Sequence, residues 1–467
     1  MCLMQQVMLR WGASGYRSYS RKLSYYSRIG YSYDNRYFIQ AIFRADAADT
    51  ALLPAENRWG YFPGVSAGWT FTNEKFFPAL KWLDFGKLRA SWGQNGSTSN
   101  LGGYKYSNSI IQTAKGYPYG STSDSFMISG APSQVSNPNL KWETSEQLDF
   151  GIDLRMLNSR LTLTADWYKK KTKDLIVTGS QLPFEIGNSA PPVNAGNVEN
   201  TGFELELGWR DKIGDFSYGI SANIATLKNK VTYLDPSISD NRMYSGMGLG
   251  PSISNLTAFE VGHPIWYFYG YKVDHIDVET GNPVFVDVDG NGSITEDDRT
   301  DIGKSIPDFT YGVTLNAAWK GLDFMLFGSG ASGNKIFSAI NYGSFTYNYK
   351  EIYDNRWTSE NTHAKYASPQ TSSTLMNQYL ASDASVFNGS YFKIKQIQLG
   401  YTIPKNISRK FFVENLRVYI SLDDYFCFTG YHGLDPEVSA TATSGMGIDF
   451  GNYPNTRKTL FGATITF

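Results

Sequence analysis

The segment DVDGNGSITEDD, from Asp287 to Asp298, has the residue types and the spacing of a calcium-binding loop. In such loops, side-chain oxygens at positions 1, 3 and 5 and a carboxylate at position 12 surround the ion, while a glycine at position 6 permits a sharp turn. Gly292 occupies that sixth position. The predicted ligands are Asp287, Asp289, Asn291, the backbone carbonyl of Ser293, a water held by Thr295, and Asp298.

The last ligand position departs from the usual pattern, because Asp298 stands where such loops carry the longer glutamate. A shorter side chain makes bidentate ligation harder, so we expect weak affinity, which millimolar extracellular calcium would still satisfy. The apolar Ile294 is expected to anchor the loop. The alternative is an acidic surface turn held by the backbone preferences of Asp, Asn and Gly. We favour calcium because every ligand position is filled.

Residues that would indicate catalysis do not converge. The carboxylate pairs Glu204/Glu206 and Asp149/Asp153 each lie on one face of a predicted strand, whereas a glycosidase needs two carboxylates that flank a bond. We interpret them as the lining of a wet lumen and expect that the protein is not an enzyme. The histidines are scattered without metal-ligand spacing; they are His263, His275, His363 and His432.

Composition constrains the partners and the cellular compartment. The chain has 467 residues and a net charge of −1, so nothing indicates a nucleic-acid partner. Of its two cysteines, Cys427 is expected to be an unpaired, partly buried thiol without a role. No apolar run reaches the length of a membrane helix, and the first residues lack the pattern of a signal peptide. Taken alone, these features indicate a cytosolic protein.

Hydrophobic periodicity indicates a different class of protein. In QLDFGIDLR, Leu148, Phe150 and Ile152 share one face and Asp149 and Asp153 the other. The segments RLTLTADWY, GFELELGW and FTYGVTLNAAW repeat this alternation. A period of two is typical of strands. A soluble sandwich and a membrane barrel both produce it, since each sheet has one apolar and one polar face.

The lengths of the strands and connections favour the barrel. Many segments run about ten residues or more, the length of a tilted membrane-spanning strand. Short and long connections alternate, as in outer-membrane barrels with short periplasmic turns and long exterior loops. The predicted short or intermediate connections are 34–35, 73–86, 157–160, 210–215, 320–321 and 404–415. The predicted long ones are 45–61, 95–144, 172–198, 229–308, 333–389 and 424–457.

The sequence therefore predicts an all-β, antiparallel transmembrane barrel of about thirteen strands over residues 23–467, with residues 1–22 unassigned. An odd number does not close the usual bacterial barrel, and the first strand would expose unpaired backbone to lipid. We therefore expect this chain to be a portion of a larger barrel. The loop 229–308 would carry the calcium-type segment.

Ordered motifs along the chain resemble one family. They are RYFIQAIFRADAADT, RWGYFPGVSAGWTFTNEKFF, LDFGKLRASWGQNGS, NPNLKWETSEQLDFGIDL, NVENTGFELELGW, IGKSIPDFTYGVTLNAAWKGLDF, FKIKQIQLGYTIP and GYHGLDPEV. Together they resemble the SusC/RagA-type TonB-linked outer-membrane transporters of Bacteroidetes, from about residue 23 to the terminal Phe467. One departure is Cys427, which stands where the family more often has a small polar residue before its GY-x-G-x-DPE motif.

The resemblance implies a fold and a function. In this family a signal peptide, a TonB box and a plug domain precede a barrel of twenty-two strands, so this chain would supply the C-terminal part and would lack the plug. It would lie in the outer membrane in contact with lipid. The implied function is TonB-dependent import of oligosaccharides, or of peptides, together with a SusD-like surface lipoprotein. Coupling to the TonB complex would pass through the N-terminal region that this chain lacks.

Aromatic residues in the long loops are the predicted contacts to substrate or to the lipoprotein. Aromatic faces stack on sugar rings, and tyrosine is enriched at protein interfaces. The alternative is that these side chains pack the loops on each other. The predicted contact residues are Trp266, Tyr267, Tyr269, Tyr342 and Tyr347.

Two other functions stay open at this point. One is a passive or adhesive outer-membrane barrel without TonB coupling. The other is a secreted, calcium-binding, carbohydrate-active β-protein.

Overall fold

The computed structural model describes residues 19–467, apart from positions 79, 109, 114–128, 133–134, 179–184, 186–187, 189, 237, 239–241, 244–246, 250–252, 254, 341–349 and 438–442. In this part of the chain, thirteen long strands follow one another as an antiparallel meander. They are β1 Leu23–Tyr33, β2 Tyr37–Ala47, β3 Trp59–Trp69, β4 Leu83–Ser97, β7 Glu143–Met156, β8 Leu161–Thr178, β9 Pro192–Ile213, β10 Phe216–Thr226, β18 Phe309–Trp319, β19 Leu322–Ser332, β22 Tyr391–Ile403, β23 Asn415–Thr429 and β25 Lys458–Thr466.

Cross-strand register sorts side chains onto two faces. Phe150, Trp167 and Phe203 lie side by side on β7, β8 and β9. Because successive residues of a strand point to opposite faces, the neighbouring row of Gly151, Asp166 and Glu204 faces the other way. The predicted apolar and polar faces are therefore real surfaces of one sheet.

The connections fall into a short set at one end of the sheet and a long set at the other, as predicted. The turn at Lys320 and Gly321 needs only two residues, and both have positive φ values, 47° and 93°. Such two-residue turns match the twist of antiparallel strands. At the same end, the buried Glu74 accepts hydrogen bonds from Arg36 Nη1 at 2.9 Å and Trp69 Nε1 at 3.0 Å, and also from Tyr37.

One strand changes partner along its length. β9 pairs with β10 through Glu204 and then with β11, Lys228–Leu234, from Thr201 onward. The predicted loop 229–308 therefore begins as a strand that extends the ladder. The periodicity did not reveal this, because Leu227 ends the alternation of β10 without a recognisable turn signal.

The remaining elements lie in the long connections and pair locally. The strands are β5 Ile110–Thr113, β6 Ser129–Pro132, β12 Arg242–Met243, β13 Thr257–Glu260, β14 Tyr267–Gly270, β15 Val273–Ile276, β16 Pro283–Phe285, β17 Thr300–Gly303, β20 Lys335–Ser338, β21 Val386–Asn388 and β24 Ile448–Asp449. The helices are α1 Lys350–Asp354, α2 Ser373–Leu380 and α3 Lys405–Ser408. None of the helices in the described residues has the length and apolar character needed to cross a bilayer.

The long connections share a hydrophobic core. Phe268 and Phe285 of loop 227–308 are buried together with Phe337 and Met376 of loop 333–390 and with Ile448 of loop 430–457. Burial of such side chains stabilises each by about 1.5–3 kcal/mol relative to exposure. Three of the long loops therefore form one packed body at one end of the sheet.

Candidate functional site

The calcium-type segment lies in this loop body, between β16 and β17. It closes in a single turn of 3₁₀ helix, Glu296–Asp298, which Thr295 caps by accepting a hydrogen bond from Asp297 N. Gly290 and Gly292 have φ values of 73° and 83°, a backbone conformation that favours glycine. These glycines allow the chain to fold its acidic side chains inward.

Three carboxylates converge inside this turn. One carboxylate oxygen from each of Asp287, Asp289 and Asp298 lies within 4.8 Å of the others. Asp287 also accepts hydrogen bonds from the backbone N–H groups of Gly290 and Gly292, both at 2.8 Å. This is the one group of three or more metal-type side chains within the described ranges.

Asp298 is the buried member of the group, with no exposed surface. Its carboxylate accepts hydrogen bonds from Thr295 N at 2.7 Å and Val288 N at 2.8 Å. The backbone hydrogen bond from Thr295, with that from Val288 adding to it, holds the pKa of Asp298 below its ordinary value despite burial. The shorter side chain at position 12 therefore stays ionised and fixed in place.

The turn is attached to the loop body at both of its ends. Ile294 packs against the shared hydrophobic core, which confirms its predicted anchoring role. Arg299 donates to the carbonyls of Asn255 at 2.6 Å and Tyr269 at 2.8 Å, and it pairs with Glu296 at 2.8 Å. The turn is therefore held to the loop body through Ile294 and Arg299.

The side chains present fit a calcium ion. Calcium takes several hard oxygen ligands in a flexible shell, and the turn gathers three carboxylates with Asn291 and Ser293 beside them. Asn291 Oδ1 accepts from Ser293 N at 2.8 Å, and Asn291 Nδ2 donates to Asp289 at 2.7 Å. Like charges at this separation repel each other, so a bound cation would relieve the repulsion.

The predicted contact aromatics are placed mostly inside the loop body. Tyr267 and Tyr269 are buried, and Trp266 is half-buried against Phe259, with 5.6 Å between ring centres. For Tyr267 and Tyr269 the structure thus shows the packing role that the sequence left open, and they present no surface to a ligand. Tyr342 and Tyr347 lie outside the described residues.

A polar network provides hydrogen-bond partners for the buried hydroxyls of Tyr267 and Tyr269. The hydroxyl of Tyr267 donates to Glu260, which pairs with Arg242 at 2.8 Å. Arg242 also donates to the Tyr269 hydroxyl at 3.1 Å. Burial raises the pKa of the Tyr267 hydroxyl, and the hydrogen bond to Glu260 raises it further. The sequence did not reveal this network, because its members are separated by up to 27 positions.

Sequence reasoning also missed a charged cluster at the long-loop end of β22. Lys393 and Lys395 hold the DPE motif of the following loop, with Lys393–Asp435 at 3.0 Å and both lysines 2.6 Å from Glu437. Burial opposes ionisation, but the hydrogen bonds from the two lysines lower the pKa of Glu437 to about 2. We call these four residues the Lys–Glu cluster.

Nearby, Cys427 is exposed and unpaired, not partly buried as expected.

The polar face of the sheet carries an ion network of its own. Arg89 of β4 contacts Asp153 at 2.7 Å and Asp166 at 2.9 Å. The register places Glu204 next to Asp166 on the same face. The carboxylates predicted to line a lumen therefore do share one wall, and a single arginine links two of the strands.

Comparisons with known proteins agree with this architecture. A family model described as "TonB dependent receptor-like, beta-barrel" matches residues 10–423. TonB-dependent receptor P3 of Formosa agariphila is 28% identical over 97% of this chain and 46% of its own length. TonB-dependent receptor SusC of Bacteroides thetaiotaomicron is 30% identical over 97% of this chain and 44% of its own length.

Solved structures show the same likeness. The RagAB peptide importer in its "closed-closed" state is 25% identical and superposes with a TM-score of 0.80, over 96% of this chain and 48% of the matched chain. The chain thus spans about half the length of the relatives it matches.

The family match decides four of the sequence predictions. It confirms the antiparallel barrel, with thirteen long strands in the described residues that match the C-terminal half of the relatives. It confirms the outer membrane as the location and shows that the protein is not an enzyme. Because an outer-membrane barrel is not secreted, the alternative of a secreted, carbohydrate-active β-protein is wrong. The chain belongs to the TonB-dependent receptor β-barrel family, and it is similar to the SusC and RagA receptors.

Proposed function

We propose that this protein imports nutrients across the outer membrane in a TonB-dependent manner. The chain supplies barrel strands whose polar face forms part of the passage, and the packed loops form its exterior mouth. The observation that carries this proposal is the one-sided architecture, with short turns at one end and a folded loop body at the other. The likeness to the RagAB peptide importer, at a TM-score of 0.80, supports it.

The substrate that we favour is an oligosaccharide. Tyr353 and Tyr453 are exposed on the loops, and exposed aromatic faces are suited to stacking on sugar rings. A peptide is the second candidate, and the likeness to RagAB, a peptide importer, is the observation that favours it.

The partner that we propose is a SusD-like surface lipoprotein that covers the loop body, with TonB supplying energy from the periplasmic side. Calcium would be a structural component of that loop body. Bound to Asp287, Asp289 and Asp298, it would fix the turn that Ile294 and Arg299 tie to the core.

The test is growth of the host bacterium with the gene deleted and then restored. We expect the deletion strain to lose growth on a defined oligosaccharide as sole carbon source and the complemented strain to recover it. Loss on peptides alone would replace the favoured substrate by the second candidate. Uptake that continues after a protonophore collapses the proton gradient would contradict TonB coupling and indicate a passive barrel.

A further inference from the structure

Five lysines cross the apolar face of the sheet at its long-loop end. The register places Lys169 of β8 and Lys228 of β11 on either side of Thr201 of β9. One step further out, Lys171 and Lys230 flank Glu199 in the same way. Lys173 continues the series along β8. We call Lys169, Lys171, Lys173, Lys228 and Lys230 the lysine band.

The band begins where the apolar surface ends. Lys169 lies two residues beyond Trp167 on the same face, so the two side chains are separated by ~6.8 Å along the strand. Trp167 shares its row with Phe150 and Phe203, and the rings of Phe150 and Trp167 stack with 6.0 Å between centres. All three aromatic side chains are exposed. An aromatic row that borders charged residues marks a membrane interface, here that of the outer leaflet.

The band has more positive than negative charge. Glu199 contacts Lys169 at 2.8 Å and Lys171 at 3.8 Å, and Glu146 contacts Lys173 at 2.5 Å. Two carboxylates against five lysines leave a net charge of +3. The nearby Lys141–Asp174 pair, at 2.9 Å, adds none. Lys228 and Lys230 are exposed, so a ligand can reach them from the lipid side.

An apolar groove of about 700 Å³ lies directly beside the aromatic row. The small side chains of Ala67, Ala90 and Ala165 line it together with Trp167 and Phe203. Its apolar lining suits a hydrocarbon chain, because burial of apolar area is favourable in proportion to that area. The outward-facing residues that line it include Ile39, Ala67, Leu88, Ala90, Ala165 and Trp167.

We propose that the lysine band and this groove form a binding site for a phosphate-bearing lipid of the outer leaflet. The lysines take the headgroup phosphates, because compact ammonium groups bind phosphate as point charges. The groove takes an acyl chain of the same molecule. Clusters of lysine beside a membrane-spanning surface attract anionic lipid in this manner. The site is on the outer wall, so it does not depend on what the barrel imports.

The test uses the protein purified from outer membranes and stripped of lipid in detergent. It is titrated with diphosphorylated lipid A or with phosphatidylcholine, and native mass spectrometry counts the bound lipids. The band variant replaces Lys171, Lys228 and Lys230 by Gln. The control replaces three exposed lysines of the opposite end by Gln, so that the same total charge is removed; these are Lys75, Lys81 and Lys410. Heat-modifiable migration on gels verifies that each variant is folded.

We expect lipid A to bind at least tenfold more tightly than phosphatidylcholine to the unchanged protein and to the control. The band variant should lose most of that preference and keep its weak binding of phosphatidylcholine. Ala165→Phe, which fills the groove, should lower lipid A retention severalfold with the lysines intact. Equal lipid A affinity in the band and control variants would overturn the proposal. So would inorganic phosphate that displaces lipid A completely at millimolar concentration, since that would show a site for free anions.

Discussion

At the scale of single residues, the acidic turn carries the most specific chemistry. We predict that Asp287→Ala combined with Asp289→Ala abolishes calcium binding, because two of the three converging carboxylates are removed. The unchanged protein should bind with a dissociation constant of about 10⁻⁴–10⁻³ M, the range of extracellular calcium modules. Titration calorimetry measures the binding, and trypsin resistance of loop 227–308 with and without calcium measures its consequence.

A neighbouring carboxylate offers the matched control for that variant. Asp297 is exposed in the same turn and is not among the converging groups. Asp297→Asn should therefore leave both binding and protease resistance unchanged. If the double variant behaves like Asp297→Asn, the turn is an acidic surface turn and not a calcium site.

Glu437 provides a prediction about pH. Its folded pKa of about 2 lies below the ordinary value of 4.5, so its contribution to stability is fully present above that ordinary value and is lost as pH falls towards 2. A shift of this size corresponds to roughly 3 kcal/mol. The protection factors of amides in loop 430–457, which are exchange rates divided into the intrinsic rate at each pH, should therefore fall between about pH 5 and pH 2. In Glu437→Gln, the protection factors should already be lower at neutral pH and should lack that dependence.

At the scale of elements, the partner change of β9 depends on a glycine. A Cβ atom on Gly202 would lie 2.2 Å from the carbonyl oxygen of Thr226 and 2.5 Å from the Tyr168 hydroxyl. The carbonyl belongs to the backbone and cannot move away without disturbing the end of β10. We predict that Gly202→Val destabilises the sheet by about 1–3 kcal/mol, measured as a lower temperature for the heat-modifiable gel shift. Gly30→Val is the control, because a Cβ there meets no atom within 4 Å.

The long strands were predictable from sequence, and the loop body was not. Alternation such as that of Phe203, Leu205 and Leu207 is a local signal, so it located β9 and predicted which face is apolar. Burial of Tyr267 and Tyr269 depends on Arg242 and Glu260, and no local pattern distinguishes a buried loop tyrosine from an exposed one. The sequence therefore left open whether these two tyrosines contact a ligand or pack the loops, and the structure shows both of them packed inside the loop body.

The candidate site likewise has a part that local sequence predicts and a part that depends on distant contacts. The spacing of Asp287, Asp289 and Asp298 predicted the turn, because all of its hydrogen bonds span ten positions or fewer. The Lys–Glu cluster joins residues 42 to 44 positions apart. The DPE motif indicates the family by resemblance, but no residue near it in the sequence identifies Lys393 as its partner.

At the scale of the whole molecule, the membrane determines which face of the sheet can carry charge. Asn223 and Ile224 are neighbours on β10, and the register places Asn223 beside Glu206 and Ile224 beside Leu205. The side chain of Asn223 therefore points into the lumen, and that of Ile224 points into lipid. A charge on the lipid face costs about 2–4 kcal/mol at mid-membrane and less towards the interfaces, whereas a lumen position tolerates it.

This contrast gives the final prediction. Asn223→Arg and Ile224→Arg add the same charge at adjacent positions, so they differ only in the face that receives it. We predict that Ile224→Arg lowers the amount of folded protein in the outer membrane severalfold and lowers its unfolding midpoint in urea. Asn223→Arg should do neither, because the new guanidinium lies opposite the carboxylate of Glu206 in a wet lumen. Equal loss in both variants would show that the two faces are not separated by lipid, and it would count against the barrel orientation that the lysine band and the import proposal both assume.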